Sequence, residues 1–211
     1  MEERVNLLTK NEGEMAVKLA RGAIKTYLDT GKMPDASDNK LPAIFDDVRG
    51  VFVTLSKRGC LRGCIGHPYA DSPLKDSLVD SALSAAMRDP RFPHVRAEEM
   101  VDITVEVTIL TKPELIDVPP KELPHIIEIG RHGLIVKSGY HQGLLLPQVA
   151  PENNFDAIEL LNHTCMKAGL PQDAWIAGVD VYIFEGQIFS EESPSGRISE
   201  KHFENRSCSK D

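Results

Sequence analysis

Between positions 11 and 29 the apolar residues Val17, Ala20, Ile24, Tyr27 and Leu28 recur three and four apart, the spacing that gives an α-helix one apolar face. Asn11, with Glu14 three residues on, offers that helix a capped start, and Gly31 and Pro34 end it. Lys32 to Gly50 is rich in Pro, Asp and Asn, with only Leu41 to Phe45 apolar, and reads as an ordered surface loop. Val51 to Leu55 is a β-branched apolar run and hence a strand; Ser56 to Gly59 turns, and Cys60 to Ile65 returns as its hairpin partner. Ser72 and Pro73 supply an N-cap and a first-turn proline for a helix over Leu74 to Met87, whose Leu74, Leu78, Ala82, Ala85 and Ala86 form a narrow face. Asp89-Pro-Arg-Phe-Pro breaks it. In Val101 to Leu110, apolar residues alternate with Asp102, Thr104, Glu106 and Thr108, which predicts a strand with one wet face.

After the Pro113 to Leu123 connection and a short helix around His125 to Glu128, the order starts again. Gly133 to Lys137 is a strand, Ser138 to Gln142 a turn and Gly143 to Leu146 its partner; Asn154 caps a helix through Leu160, Leu161 and Cys165 to Gly169, and Val179 to Phe184 alternates as a strand. Hairpin, helix and strand thus occur twice, at about 50–110 and 133–184, with almost no shared identity beyond the placement of glycines. The pattern predicts an α+β fold of two lobes related by internal duplication, with a cleft at their junction as the natural ligand site. A single domain over 8–190 is expected, followed by a polar tail, 191–211, most of which is loosely held.

Composition narrows the function. The 211 residues are 41% hydrophobic and 27% charged, values of a folded globular chain with a core that needs no staples. With 24 Lys and Arg against 32 Asp and Glu the net charge is -8, which disfavours nucleic acid or anionic membranes as partners but leaves room for a local basic pocket holding a small anion. The start is polar, without a signal-peptide pattern, and no apolar window reaches the ~18 residues of a membrane span, so a cytoplasmic location is expected. Four cysteines, Cys60, Cys64, Cys165 and Cys208, are too few for a disulfide framework, and reduced thiols are the expectation.

The chemistry concentrates in Arg58-Gly-Cys-Leu-Arg-Gly-Cys-Ile-Gly-His, residues 58–67 on the first hairpin. Cys64 beside Arg62 and the amides at Gly63 and Gly66 has the surroundings of an activated thiol, with His67 to move protons. The alternative is a small buried hydrophobe on a strand whose glycines admit close backbone approach. Arg62 and Cys64 share a parity, so both face one side of an ideal strand. Cys60, Cys64 and His67 also invite zinc or iron, but no fourth ligand is evident and a tight hairpin opposes convergence, so no metal and no other cofactor is assigned. Arg91 either pairs with Asp89 or offers a fork to a carboxylate or phosphate. His94 is its titratable neighbour, and Gln148 is a polar contact at the second hairpin or the partner of a loop backbone. No nucleophile elbow, phosphate-binding glycine loop or dinucleotide fingerprint is present.

Leu61-Arg-Gly-Cys-Ile-Gly is the hallmark hexapeptide of the AMMECR family, which the chain resembles. Asp89-Pro-Arg-Phe-Pro, Gly133-Leu, Gly143-Leu-Leu-Leu-Pro-Gln-Val-Ala and Cys165-Met-Lys-Ala-Gly-Leu-Pro extend the likeness, in that family's order, over roughly Asn11 to Ser190. The resemblance implies a mixed α and β fold of two lobes with internal duplication, and partnership with the Memo-like and radical-SAM proteins of the AmmeMemoRadiSam system. It implies no established activity. Two functions follow: a ligand, substrate or partner site centred on residues 61–66 and formed by Arg62, Gly63, Gly66, Arg91, His94 and Gln148, or a cysteine-dependent enzyme in which Cys64 attacks a small anionic substrate held by Arg62 and Arg91, with His67 or His94 as proton carrier.

Overall fold

The computed structural model describes residues 7–34, 40–69 and 71–201. The chain divides into two compact units, one running to Lys112 and resuming at Gln187–Lys201, the other spanning Pro113–Gly186. The fold is α+β, as the alternation of patterns predicts.

In the first unit, α1 (Lys10–Thr30) buries Val17, Ala20 and Ile24 of the predicted stripe, together with Ala16, while Tyr27 and Leu28 are half-buried. Its capping box is Thr9 with Glu12 and not Asn11 with Glu14; burial of Leu8 draws the helix start two residues earlier. The expected surface loop that follows contains a 3-10 turn, Ala43–Asp46, that drives Phe45 fully into the core. The hairpin is β1 (Val51–Lys57) with β2 (Cys60–His67), antiparallel, Thr54 opposite Cys64. Between the pairs Leu55 with Gly63 and Ser56 with Leu61 the register shifts, so Arg62 sits at a bulge. One face of β1, formed by Val51, Val53 and Leu55, is fully buried with α2 (Leu74–Met87) in a single core; Phe52 and Thr54 on the other face are half-buried. Pro73, not Ser72, occupies the cap position of α2, and the Ser72 hydroxyl bonds Asp71 instead. β3 (Ile103–Leu110) pairs with β1 and sets Thr54 opposite Glu106. Val101 belongs to the preceding 3-10 turn and is exposed.

The second unit holds β4 (Glu114–Leu115), α3 (Leu123–Ile126), β5 (His132–Ser138), β6 (His141–Leu145), α4 (Val149–Asn153), α5 (Ala157–Lys167) and the first half of β7 (Asp180–Glu191). Its core joins Leu134 and Val136 of β5 to Leu160, Leu161 and Cys165 of α5, with Trp175 and Val181. Asn154 does not cap α5. It closes α4 in the left-handed region, φ 56°, and Asp156 with Glu159 forms the box that starts α5.

Strand order is β2-β1-β3-β7 in the first unit and β7-β5-β6 in the second. In each, the first hairpin strand lies between its partner and the strand that follows the helix. A Cβ built at Gly63 would overlap the Ala85 carbonyl oxygen of α2, and one built at Gly143 would overlap the Thr164 carbonyl oxygen at the end of α5. Glycine on the second hairpin strand therefore lets the following helix seat closely in both units. The expected loose tail is corrected as far as Lys201: β7 runs on to Glu191, β8 (Ile198–Lys201) pairs with it, and Ile198 is buried. Glu191 is buried too, paired with Arg21 of α1 and accepting the Val105 N–H. Residues 202–211, with Cys208, lie outside the described residues.

Candidate functional site: the polar face and outer edge of β2

Side chains alternate across a strand, so the register places Cys64, Thr54 and Glu106 in one row across β2, β1 and β3, on the face away from α2. This is the polar face that the alternation in β3 predicts, but it is less wet than expected: Thr104 and Glu106 are half-buried and Thr108 is buried. The Thr54 hydroxyl donates to Cys64 Sγ at 3.3 Å, and Glu106 receives the Lys201 ammonium from β8. Cys64 is half-buried and Cys60, four residues earlier, exposed.

β2 ends the strand order, so at Cys64 its outward backbone groups need partners other than a strand. Asp89 and Arg91 supply them. The Cys64 N–H donates to Asp89 Oδ2 at 2.9 Å, and the Cys64 carbonyl accepts from Arg91 Nη2 at 3.2 Å. Asp89 also accepts from the Arg91 backbone N–H (3.1 Å), Nε (2.9 Å) and Nη2 (2.7 Å). Hydrogen bonding from Arg91 above all, with the two backbone amides, outweighs burial and holds the Asp89 carboxyl down to about 2. The Arg91 guanidinium is held charged chiefly by its bonds to Asp89, then by the Asp89 and Cys64 charges. Its Nη1 has no protein partner among the described residues, and the side chain is 53% exposed.

Arg62 is placed differently. Its side chain is buried and spent: Nε and Nη2 grip Glu99 at 3.2 and 2.9 Å, while Nη1 and Nη2 donate to the carbonyls of Pro93 and His94. Arg62 foremost, with Lys57 and the Arg96 N–H, holds the Glu99 carboxyl at about 2 despite burial. His67 sits on the α2 side of β2, Nε2 2.8 Å from Asp80 Oδ2, whose other oxygen takes Arg88. Burial raises the Asp80 carboxyl, but the bonds from His67 and Arg88 bring it below the ordinary range. His67 and Cys64 therefore lie on opposite faces, and neither a Cys64–His67 pair nor a Cys60, Cys64, His67 metal triad converges. Gly63 and Gly66 serve close packing, against α2 and against Phe52 of β1. His94 gives this network only its carbonyl, and Gln148 is buried at the start of α4 in the second unit. The structure thus gathers Arg62, Cys64, Arg91 and the His94 backbone around two carboxylates, Asp89 and Glu99. Asp89 was legible beside Arg91; Thr54 and Glu106 needed the register, and Glu99 a contact over 37 positions.

The AMMECR1 family model matches residues 17–189. The chain belongs to that family. Archaeal relatives named only as proteins include one from Methanococcoides burtonii, 63% identical over 97% of this chain and all of its own length. Another, from Methanocaldococcus jannaschii, is 50% identical over 93% of this chain and 98% of its own. The crystal structure of an uncharacterized protein from Pyrococcus horikoshii has the same fold, with a TM-score of 0.91 and 45% identity over 94% of this chain and all of that one. Family membership thus agrees with the resemblance carried by Leu61 to Gly66, and the relatives' names assign the family no reaction. Among the described residues no helix is long and apolar enough to cross a membrane.

Proposed function

We propose that the β2 edge and polar face form a binding site for a small anionic ligand, with Arg91 as the anion-binding group and Cys64 beside it. One observation carries this reading: of the two arginines at the motif, Arg62 is consumed by Glu99 and two carbonyls, whereas Arg91 keeps Nη1 without a protein partner among the described residues on a side chain that is half-exposed. Asp89 fixes the plane of that guanidinium at two atoms, so little side-chain freedom is lost when a carboxylate or phosphate docks on Nη1. Arg91 meets Cys64 at its backbone carbonyl, and on the polar face of the same strand the Thr54 hydroxyl donates to the Cys64 sulfur.

Titration of isotope-labelled protein with succinate and with inorganic phosphate, read by amide NMR, tests the site. Saturable shifts at Cys64, Arg91 and their neighbours are expected, and Arg91→Gln weakens the binding by roughly tenfold, the worth of one charge-assisted contact. Shifts that are absent, or that persist in Arg91→Gln, contradict the proposal.

A further inference from the structure

Resting on the anion site at Arg91, we infer that Cys64 exchanges disulfides with small carboxylate-bearing thiols: Arg91 Nη1 takes the carboxylate and Cys64 Sγ takes the sulfur. Three features of the cluster select this substrate class. The Thr54 hydroxyl points its proton at Sγ, which favours the sulfur as an anion. The Cys64 backbone is pinned at both its N–H and its carbonyl by the Asp89–Arg91 clamp, so the guanidinium that carries Nη1 is held against the residue that bears the sulfur. His67 lies across the sheet on Asp80 and is not placed to act as an acid at Sγ, and the contact of His94 with the cluster is made by its carbonyl. Alkoxide or amine leaving groups need a proton donor, whereas a departing thiolate does not, and thiol–disulfide exchange asks only for a thiolate and an accessible disulfide.

The step balances without a further oxidant. Cys64 thiolate attacks one sulfur of RS–SR along the S–S axis, the S–S bond breaks as the Cys64–S–S–R bond forms, and RS⁻ leaves to take its proton from water. The number of disulfide bonds is unchanged: the Cys64 sulfur rises from the thiol to the disulfide level, the departing sulfur falls from the disulfide to the thiol level, and the captured sulfur stays at the disulfide level. A second thiol of the same class reverses the step, so the site carries or releases a small acidic thiol.

The protein contains its own references. Cys60 lies on the same strand, exposed, and Cys165 is fully buried in the second unit. Purified protein is incubated at pH 7 with equal concentrations of 3,3′-dithiodipropionate (anionic), 2-hydroxyethyl disulfide (neutral) and cystamine (cationic), and mixed disulfides are mapped by peptide mass spectrometry. Cys64 is expected to react with the anionic reagent about three- to fivefold faster than with the neutral one, the worth of one half-exposed ion pair, and slowest with cystamine. Arg91→Gln abolishes that order while circular dichroism is unchanged, and Thr54→Val slows all three reagents at Cys64 without altering their order. If Cys64 stays unmodified while Cys60 reacts, or if the order survives Arg91→Gln, the inference is overturned. Phosphate and succinate shifts at Arg91 in the same preparation show whether the anion site stands without the exchange chemistry.

Discussion

Asp89 takes four hydrogen bonds on one carboxylate and joins the end of α2 to the edge of β2 at Cys64. Asparagine there keeps the shape but loses the charge and presents an amide to donors. Asp89→Asn is therefore expected to cost about 1–3 kcal/mol in urea unfolding and to loosen the Cys64 amide in hydrogen exchange. Gly63→Ala places a methyl in the Ala85 carbonyl oxygen, so strand and helix must part; about 1–3 kcal/mol of overpacking cost is expected, and Cys64 becomes more accessible to reagents. Placing Cys64 and His67 in one mechanism ignored their separation of three, which in a strand means opposite faces. That much was legible. The fate of Arg62 was not, because Glu99 lies 37 residues away and nothing local distinguishes a spent guanidinium from an available one.

Among the elements, the strands and the two principal helices were legible because their apolar periods differ and are long. Their ends were less so. At α1 two overlapping capping patterns were present, and the burial of Leu8, a tertiary event, chose Thr9. Asn154 shows the same limit, since asparagine suits a helix start and a left-handed helix end equally, and Asp156 two residues later takes the start. The polar Ser190 to Lys201 concealed a strand because its stabilising contacts are distant. Glu191 reaches Arg21 on α1 and the Val105 amide on β3. Glu191→Ala leaves Arg21 buried beside only the Met100 and Ile103 carbonyls, and a loss of about 3–5 kcal/mol is expected on chemical denaturation. A change below 1 kcal/mol would mean that this segment is as loosely held as its composition suggests.

For the whole molecule, the acid-side pH dependence of stability has two windows among the described residues, both with stability falling as pH falls. His132 is buried, and burial pushes its imidazole below its ordinary value of 6.5, with Nδ1 accepting the Glu128 N–H. The unfolded chain binds this proton first, so stability declines as pH drops below about 6.5. NMR titration should find His132 neutral where exposed histidines are already charged. Asp89 and Glu99, ordinarily 3.8 and 4.5 and here about 2, contribute fully above those ordinary values and lose their contribution as pH falls towards 2. The carboxylate window lies below the range in which the Cys64 chemistry is read, and the His132 window meets it only below about pH 6.5. The rate of iodoacetamide alkylation between pH 5 and 10, resolved by mass spectrometry at Cys60, Cys64 and Cys165 of the folded protein, tests the central claim most directly. Cys165, whose thiol burial pushes upward, serves as the protected reference. A functional thiol beside Arg91 predicts that Cys64 reaches half its maximal rate below both Cys60 and the ~8.5 of an ordinary thiol. If Cys64 stays inert until the protein unfolds, it is a packing residue, and the site account built on it is wrong.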